Sequence, residues 1–307
     1  MSRPAPLPEP CITPPPLAAC LRAWGHSDAA IEDVWLFRAG ERLHLDLHRA
    51  RDARAVVVFQ PGSGSYARFY CGLGERLAAI GMHLLGIDRP GHGFSDGPRG
   101  HCTVPQALDV SAAVLDFARR EFGLPVILLG SSMGGLLTGF AVIAGQRPDL
   151  AIAHNFLIPG RLISMRLRAR WIAARRQRPY PLRELVHGFA ELSRDDMLRQ
   201  YLRAEADPRA AWSLSAASVA SLFAHNPARP AGATAPLVVL SGERDRAIPS
   251  WASRGFLRWS GLAQRRFVGV PGAGHLLFHD HLDQTMNVLQ PLIEQGIAGA
   301  AWAGAAA

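Results

Sequence analysis

The sequence predicts an α/β fold, a mostly parallel, doubly wound sheet with an inserted helical cap. Three observations predict it. Short apolar runs of strand length alternate with stretches of helical spacing. Gly-rich turns follow several of these runs, at what would be the carboxyl edge of a sheet. The alternation stops between Arg161 and Pro236, where the pattern is helical, and then resumes.

In chain order, Pro4, Pro6, Pro8, Pro10 and Pro14–Pro16 describe an extended arm, followed by a short helix from Leu17 to Gly25. Val34–Arg38 and Leu43–His48 alternate about Gly40 as a hairpin at the sheet edge. Ala55–Phe59 is a buried strand, Phe69–Ile80 a helix, and Met82–Asp88 the next strand. Thr103–Phe122 is a helix with Pro105 in its first turn, where proline is tolerated. A strand from Val126, a helix from Leu136 to Ala144 and a strand from Ala151 to Ile158 follow. After the insertion come a strand at Pro236–Gly242, a helix at Ser250–Trp259, a strand at Arg265–Val270 and a helix from about His279 to Gln295. The division expected is an arm and helix over 1–25, a core over 26–160 and 236–297, a cap over 161–235, and a flexible tail over 298–307.

The apolar stretch Leu124–Gly145 contains no charged residue and is long enough to raise the question of a membrane span. Pro125, the internal glycines and the Ser131-Ser132 turn favour strand, turn and helix instead. Gly130-Ser-Ser-Met-Gly134 is a G-x-S-x-G pattern, whose small flanking residues let strand and helix backbones approach closely. Ser132 then stands at the tip of a sharp turn, where a hydroxyl can act as nucleophile if a base reaches it. Asp245, in the turn after one resumed strand, and His275, delivered by Pro271-Gly-Ala-Gly274 after the next, can supply orienting carboxylate and base. Glu243 is the nearest competitor of Asp245; His92 and His101 are read as structural. The backbone N–H groups of Met133 and of Ser63, in the loop after Ala55–Phe59, are the candidate oxyanion donors.

On these residues, the stretch from Val56 to Trp302 resembles the α/β-hydrolase superfamily, and within it the monoacylglycerol lipase, lysophospholipase and serine aminopeptidase-like group. Gly62-Ser-Gly64 with Arg68-Phe-Tyr70 is similar to that group's oxyanion loop, and Asp88–His101 to its long loop after the fourth strand. The resemblance implies a serine hydrolase of carboxylic esters, with monoacylglycerols, lysophospholipids or similar acyl esters as substrates. An aminopeptidase, a carbon-carbon bond hydrolase or a non-catalytic binding member stays open beside it. No metal or organic cofactor is implied. One departure stands out: the group usually opens this loop with His-Gly, the His propping it from behind, and this chain has Pro61-Gly62.

All 33 cationic side chains are Arg, and the net charge is +8. Residues 161–236 carry 13 Arg against 6 acidic residues, so nearly all of the surplus sits in the insertion. The basic residues match no nucleic-acid-binding motif, and no nucleic-acid partner is expected. Arg166, Arg168, Arg170, Arg175 and Arg176, with Leu167, Trp171 and Ile172 between them, suit weak contact with an anionic lipid surface. Cys11, Cys20, Cys71 and Cys102 match neither a metal-ligand spacing nor a disulfide framework, and the proline-rich start has no apolar signal core. The expected location is therefore cytoplasmic.

Overall fold

A computed structural model describes residues 11–38, 40–174, 179–182, 199, 201, 207–232 and 234–299. Of the expected arm, residues 1–10 lie outside the described residues, as do residues 300–307 of the expected tail and Arg175 and Arg176; Pro15 and Pro16, expected in the arm, instead open the first helix, whose first turn tolerates proline. Helix α1 (Pro15–Ala23) leads into the hairpin of β1 (Ile31–Arg38) and β2 (Glu41–His48). Then come β3 (Ala55–Gln60), α2 (Cys71–Ala79), β4 (Met82–Ile87), α3 (Val104–Phe122), β5 (Val126–Ser131), α4 (Met133–Ile143) and β6 (Leu150–His154). The insertion contributes α5 (Ile163–Ala174), β7 (Tyr180–Pro181), β8 (Ser213–Leu214) and α6 (Ala216–Ala224). The chain returns to the sheet with β9 (Leu237–Gly242), α7 (Ser250–Ser260), β10 (Arg265–Val270) and α8 (Leu282–Ile297).

One sheet has the order β1-β2-β4-β3-β5-β6-β9-β10, in which β2 pairs antiparallel with both neighbours and the other pairings are parallel. Successive side chains of a strand point to opposite faces. Thus Val57 and Phe59 of β3 pack with α1, α2 and α8, while Val56 and Val58 pack with α3 and α4. Apolar demand on both faces makes the central strands read as unbroken apolar runs. Helix α3 starts where the Gln106 side chain accepts the Thr103 N–H at 2.8 Å, and it stops at Gly123, whose φ of +62° ends the helical path.

The strand expected over Ala151–Ile158 ends at His154. Phe156 and Ile158 are buried, but in a cluster shared with α4 and α7 rather than in a ladder, so their apolarity marks core and not strand. The last helix likewise starts at Leu282, after a turn through His279–His281.

The insertion leaves after β6 and returns at β9, two strands that are neighbours in the sheet. It has a small core of its own, including Ile172, Leu182, Leu214 and Val219. Hydrogen bonds bolt it to the loops beyond β3 and β4: Ala211 N–H donates to the Gly64 carbonyl at 2.7 Å, Ser215 N–H to the Gly100 carbonyl at 3.0 Å, and Cys102 N–H to Ser218 Oγ at 2.8 Å. Beneath those loops, the fully buried Asp88 accepts from Ala67 N–H at 2.8 Å and Phe94 N–H at 2.9 Å, and pairs with His44 Nδ1 at 2.8 Å. Burial works against a charged His44, but Asp33 and Asp88 raise it to about 12, so it stays an imidazolium and anchors both loops.

Candidate active site

Ser132 follows β5 with φ +51° and ψ −114°, and is the one non-glycine residue at positive φ among the described residues. Such a conformation costs roughly 1–3 kcal/mol and persists where the surroundings enforce it. They do so here by close approach: a Cβ on Gly134 would lie 2.0 Å from the Gln60 carbonyl oxygen. The turn pushes the Ser132 hydroxyl out of the strand line, to the edge where the loops after β9 and β10 arrive.

Those loops bring the expected partners. His275 Nε2 is 3.1 Å from Ser132 Oγ, and His275 Nδ1 is 2.8 Å from Asp245 Oδ2. With Nδ1–H donating to the carboxylate, Nε2 carries the lone pair that can accept the Ser132 proton. Asp245 Oδ1 accepts from the N–H groups of Ala247 and Ile248, both at 2.9 Å. Burial alone would raise the Asp245 carboxyl, but His275 and these donors outweigh it and hold it below its ordinary range. The side chain of Glu243, the competitor of Asp245, turns towards Gly269 of β10.

Ser63 and Met133 line one cavity of about 110 Å³. Among the described residues neither backbone N–H donates to a protein acceptor, Met133 being the first residue of α4. The rest of the wall is largely apolar, with Leu137 from α4 and Val219, Leu222 and Phe223 from α6, and among the described residues no Asp or Glu lines it. A larger cavity of about 550 Å³ opens between Trp24, Phe69 and His281, and none of the expected site residues lines it.

The expectation of structural roles holds for His92, whose Nδ1 meets the Pro90 carbonyl at 3.0 Å, while His101 bonds Ser215 Oγ of the insertion at 2.9 Å. Four residues near the site went unassigned in the sequence. Asn155 Nδ2 donates to Asp245 Oδ2 at 3.1 Å, and the buried His154 ring lies 5.1 Å from that of His275. Tyr70 Oη accepts the Gly62 N–H at 3.0 Å, and Arg89 reaches the carbonyls of Pro61 and Gly62. Asn155 was detectable as a polar residue at the carboxyl end of a strand. Arg89 lies inside the Asp88–His101 loop, but its partners are main-chain atoms and leave no side-chain pattern.

Among the described residues, two clusters have ligand atoms close enough to share an ion: Cys11, Asp33 and His44, and His154, Asp245 and His275. Both are largely committed to hydrogen bonds, His44 to Asp33 and Asp88, and His275 to Asp245 and Ser132.

The sequence profile of the serine aminopeptidase S33 family of hydrolases matches residues 51–282. A monoacylglycerol lipase of Mycolicibacterium smegmatis is 28% identical over 255 residues, covering 75% of this chain and 84% of that protein. The crystal structure of the Paleococcus ferrophilus monoacylglycerol lipase superposes with TM-score 0.64 at 23% identity, over 84% of this chain and 99% of that one. A soluble variant of the Saccharomyces cerevisiae monoglyceride lipase, solved with a substrate analogue, gives 0.69 at 16% identity, over 88% and 96%. The topology, the strained serine turn and the profile match over most of the chain agree: this is an α/β-hydrolase, and it belongs to the serine aminopeptidase S33 family.

Proposed function

We propose that the protein hydrolyses carboxylic esters through an acyl-enzyme on Ser132. The observation that carries the reading is the unbroken relay from Ser132 Oγ to His275 Nε2, and from His275 Nδ1 to Asp245. His275 takes the hydroxyl proton as Ser132 Oγ attacks the ester carbonyl, and Asp245 stabilises the imidazolium that forms. The carbonyl oxygen, now an oxyanion, receives hydrogen bonds from the Ser63 and Met133 N–H groups. His275 then gives its proton to the departing alcohol oxygen and the acyl–Ser132 ester remains. A water, deprotonated by the same imidazole, attacks that ester and frees the acid and the Ser132 hydroxyl.

The apolar cavity beside the two donors supports an acyl group as the part of the substrate held there. The M. smegmatis relative, a monoacylglycerol lipase, points the same way, so monoacylglycerols, lysophospholipids or related acyl esters are the proposed substrates. A peptide amine would need an acidic wall, and among the described residues the cavity lining contains no carboxylate. The test is labelling by a fluorophosphonate, together with hydrolysis of p-nitrophenyl esters of graded length beside amino-acid amides. Labelling and ester turnover should both vanish in Ser132→Ala. Turnover that survives the substitution, or amides cleaved faster than esters, overturns the reading.

We also propose that residues 161–235 form a cap over the site and touch an anionic lipid surface. On α5, Ile163, Leu167 and Trp171 recur at four-residue spacing and are 66%, 58% and 49% exposed, with Arg166 and Arg170 beside them. No acidic residue occurs from Leu150 to Arg183. Apolar side chains flanked by cations on one exposed helix face suit the boundary of an anionic bilayer. Co-sedimentation with vesicles containing phosphatidylglycerol should exceed that with phosphatidylcholine alone and fall in Leu167→Ser with Trp171→Ser; equal sedimentation refutes the contact. Among the described residues no helix is long and apolar enough to cross a membrane. A cytoplasmic location is proposed on the spacing of Cys11, Cys20, Cys71 and Cys102, which matches no disulfide framework.

A further inference from the structure

Arg89 is 2% exposed and has no carboxylate within ion-pair distance among the described residues. Its Nη1 donates to the Pro61 carbonyl at 2.6 Å and its Nη2 to the Gly62 carbonyl at 2.8 Å. Burying a guanidinium without a counter-ion is expensive, and neutral residues of similar volume could fill the same space. A cation held against two neutral carbonyls therefore asks for a reason beyond packing.

The peptide unit supplies it. In a trans peptide the C=O and N–H point to opposite sides of the chain. Fixing the Gly62 C=O on Arg89 therefore turns the N–H of the same unit, that of Ser63, the other way, and no protein acceptor among the described residues takes it. Fixing the Pro61 C=O turns the Gly62 N–H away in the same manner, and Tyr70 Oη collects it at 3.0 Å. Two successive peptide planes are thus held at three atoms, from a base already fixed through the neighbouring Asp88. The cation also polarises the Gly62–Ser63 unit, which makes Ser63 N–H a stronger donor in a water-poor site.

We propose that Arg89 is a positioning residue that preorganises the Ser63 N–H for the oxyanion. The inference rests on the ester-hydrolase reading above. It assigns to Arg89 a contribution to the transition state and little to binding of the ground-state ester.

Arg89→Met and Arg89→Lys test it, with kcat and KM measured on p-nitrophenyl butanoate, inhibition by a trifluoromethyl ketone that forms an oxyanion on Ser132, and thermal melting of the same samples. Losing one oxyanion donor costs on the order of 10²–10³ in kcat. Arg89→Met should lose about 10²-fold in kcat with KM within about threefold, and trifluoromethyl ketone affinity should fall in parallel with kcat/KM. Arg89→Lys, able to serve one carbonyl as a point charge, should fall between it and the parent. Should Arg89→Met fail to melt cooperatively, the Lys variant decides. Parental kcat and ketone affinity in a folded variant overturn the inference, as does a loss confined to KM or to melting temperature. Failure of the underlying reading looks different: the parent protein itself would neither turn over esters nor react with a fluorophosphonate.

Discussion

The Asn155 side-chain amide donates to Asp245 Oδ2 at 3.1 Å, the same carboxylate oxygen that meets His275 Nδ1 at 2.8 Å. Asn155 also reaches Ser241 Oγ at 3.2 Å, so the amide is held by β9 as it holds the acid. An acid oriented by an amide and two backbone N–H groups has little freedom to leave its imidazole.

Two substitutions separate orientation from charge. Asp245→Asn keeps the shape but removes the anion and favours the wrong His275 tautomer, and should lower kcat by about 10⁴-fold. Asn155→Leu leaves the anion and removes one donor, a bond worth roughly 1.5–3 kcal/mol when the acceptor is charged and buried. Its expected effect is a drop in urea-unfolding free energy of that order with about a tenfold lower kcat. Unchanged stability in Asn155→Leu would show that the amide is a bystander.

Acid should destabilise the fold well above the range in which carboxylates titrate. His48, His92 and His154 are buried and neutral, and desolvation lowers them to about 4, 3 and 3. The unfolded chain protonates these imidazoles near pH 6.5, so below that value it binds up to three more protons than the fold. Asp46 opposes this: burial raises its carboxyl, and across the interval between its ordinary and raised values the fold holds one extra proton. The difference, about two protons, corresponds to a loss of roughly 3 kcal/mol per pH unit between about pH 6 and 4. Asp245, held low, adds to the loss only at more acid pH, and the His44 contribution is fully present here and fades only on the alkaline side. Urea midpoints measured from pH 7.5 to 4.5 should fall steeply below 6, and a His48→Leu variant should show a shallower slope by about one proton. A flat profile would contradict the burial of neutral imidazoles.

What the sequence disclosed follows from how strongly each feature is constrained locally. Val56–Phe59 and Val126–Leu129 must be apolar on both faces, so the strands are legible, and Ser132, Asp245 and His275 each follow a strand that can be recognised. The limit of β6 was not legible, because Phe156 and Ile158 serve the helix layer while looking like strand. Arg89 and Tyr70 lie within recognisable motifs, but their roles are not legible there: they act on carbonyls and N–H groups, which every residue possesses, and only the fold shows which ones they reach.

The cavity beside Ser63 and Met133 should control acyl length. Val219 of α6 contributes to its wall, and the whole volume is about 110 Å³, so adding an indole there removes most of the room. Each methylene that loses its place in an apolar pocket costs about 1–3 kcal/mol of transition-state binding. Val219→Trp should therefore lower kcat/KM for a p-nitrophenyl octanoate at least about tenfold relative to the acetate, measured side by side. A parallel fall for both esters would mean that the acyl chain lies elsewhere.

Finally, the strain at Ser132 should be visible as stability once activity is set aside. At φ +51° and ψ −114° any residue with a Cβ is disfavoured by roughly 1–3 kcal/mol, whereas glycine adopts such angles freely. Glycine also loosens the unfolded chain, which offsets about 0.4–1 kcal/mol of the relief. Ser132→Ala keeps the strain and Ser132→Gly releases it, while both delete the hydroxyl and should be equally inactive. The glycine variant should then be more stable than the alanine variant by about 1 kcal/mol in urea unfolding, and the ordinary preference for glycine over alanine at the head of a helix acts in the same direction. The reverse order would mean that the turn is comfortable for a side chain, and that the close approach of Gly134 to Gln60, rather than strain at Ser132, is what the site requires of the backbone.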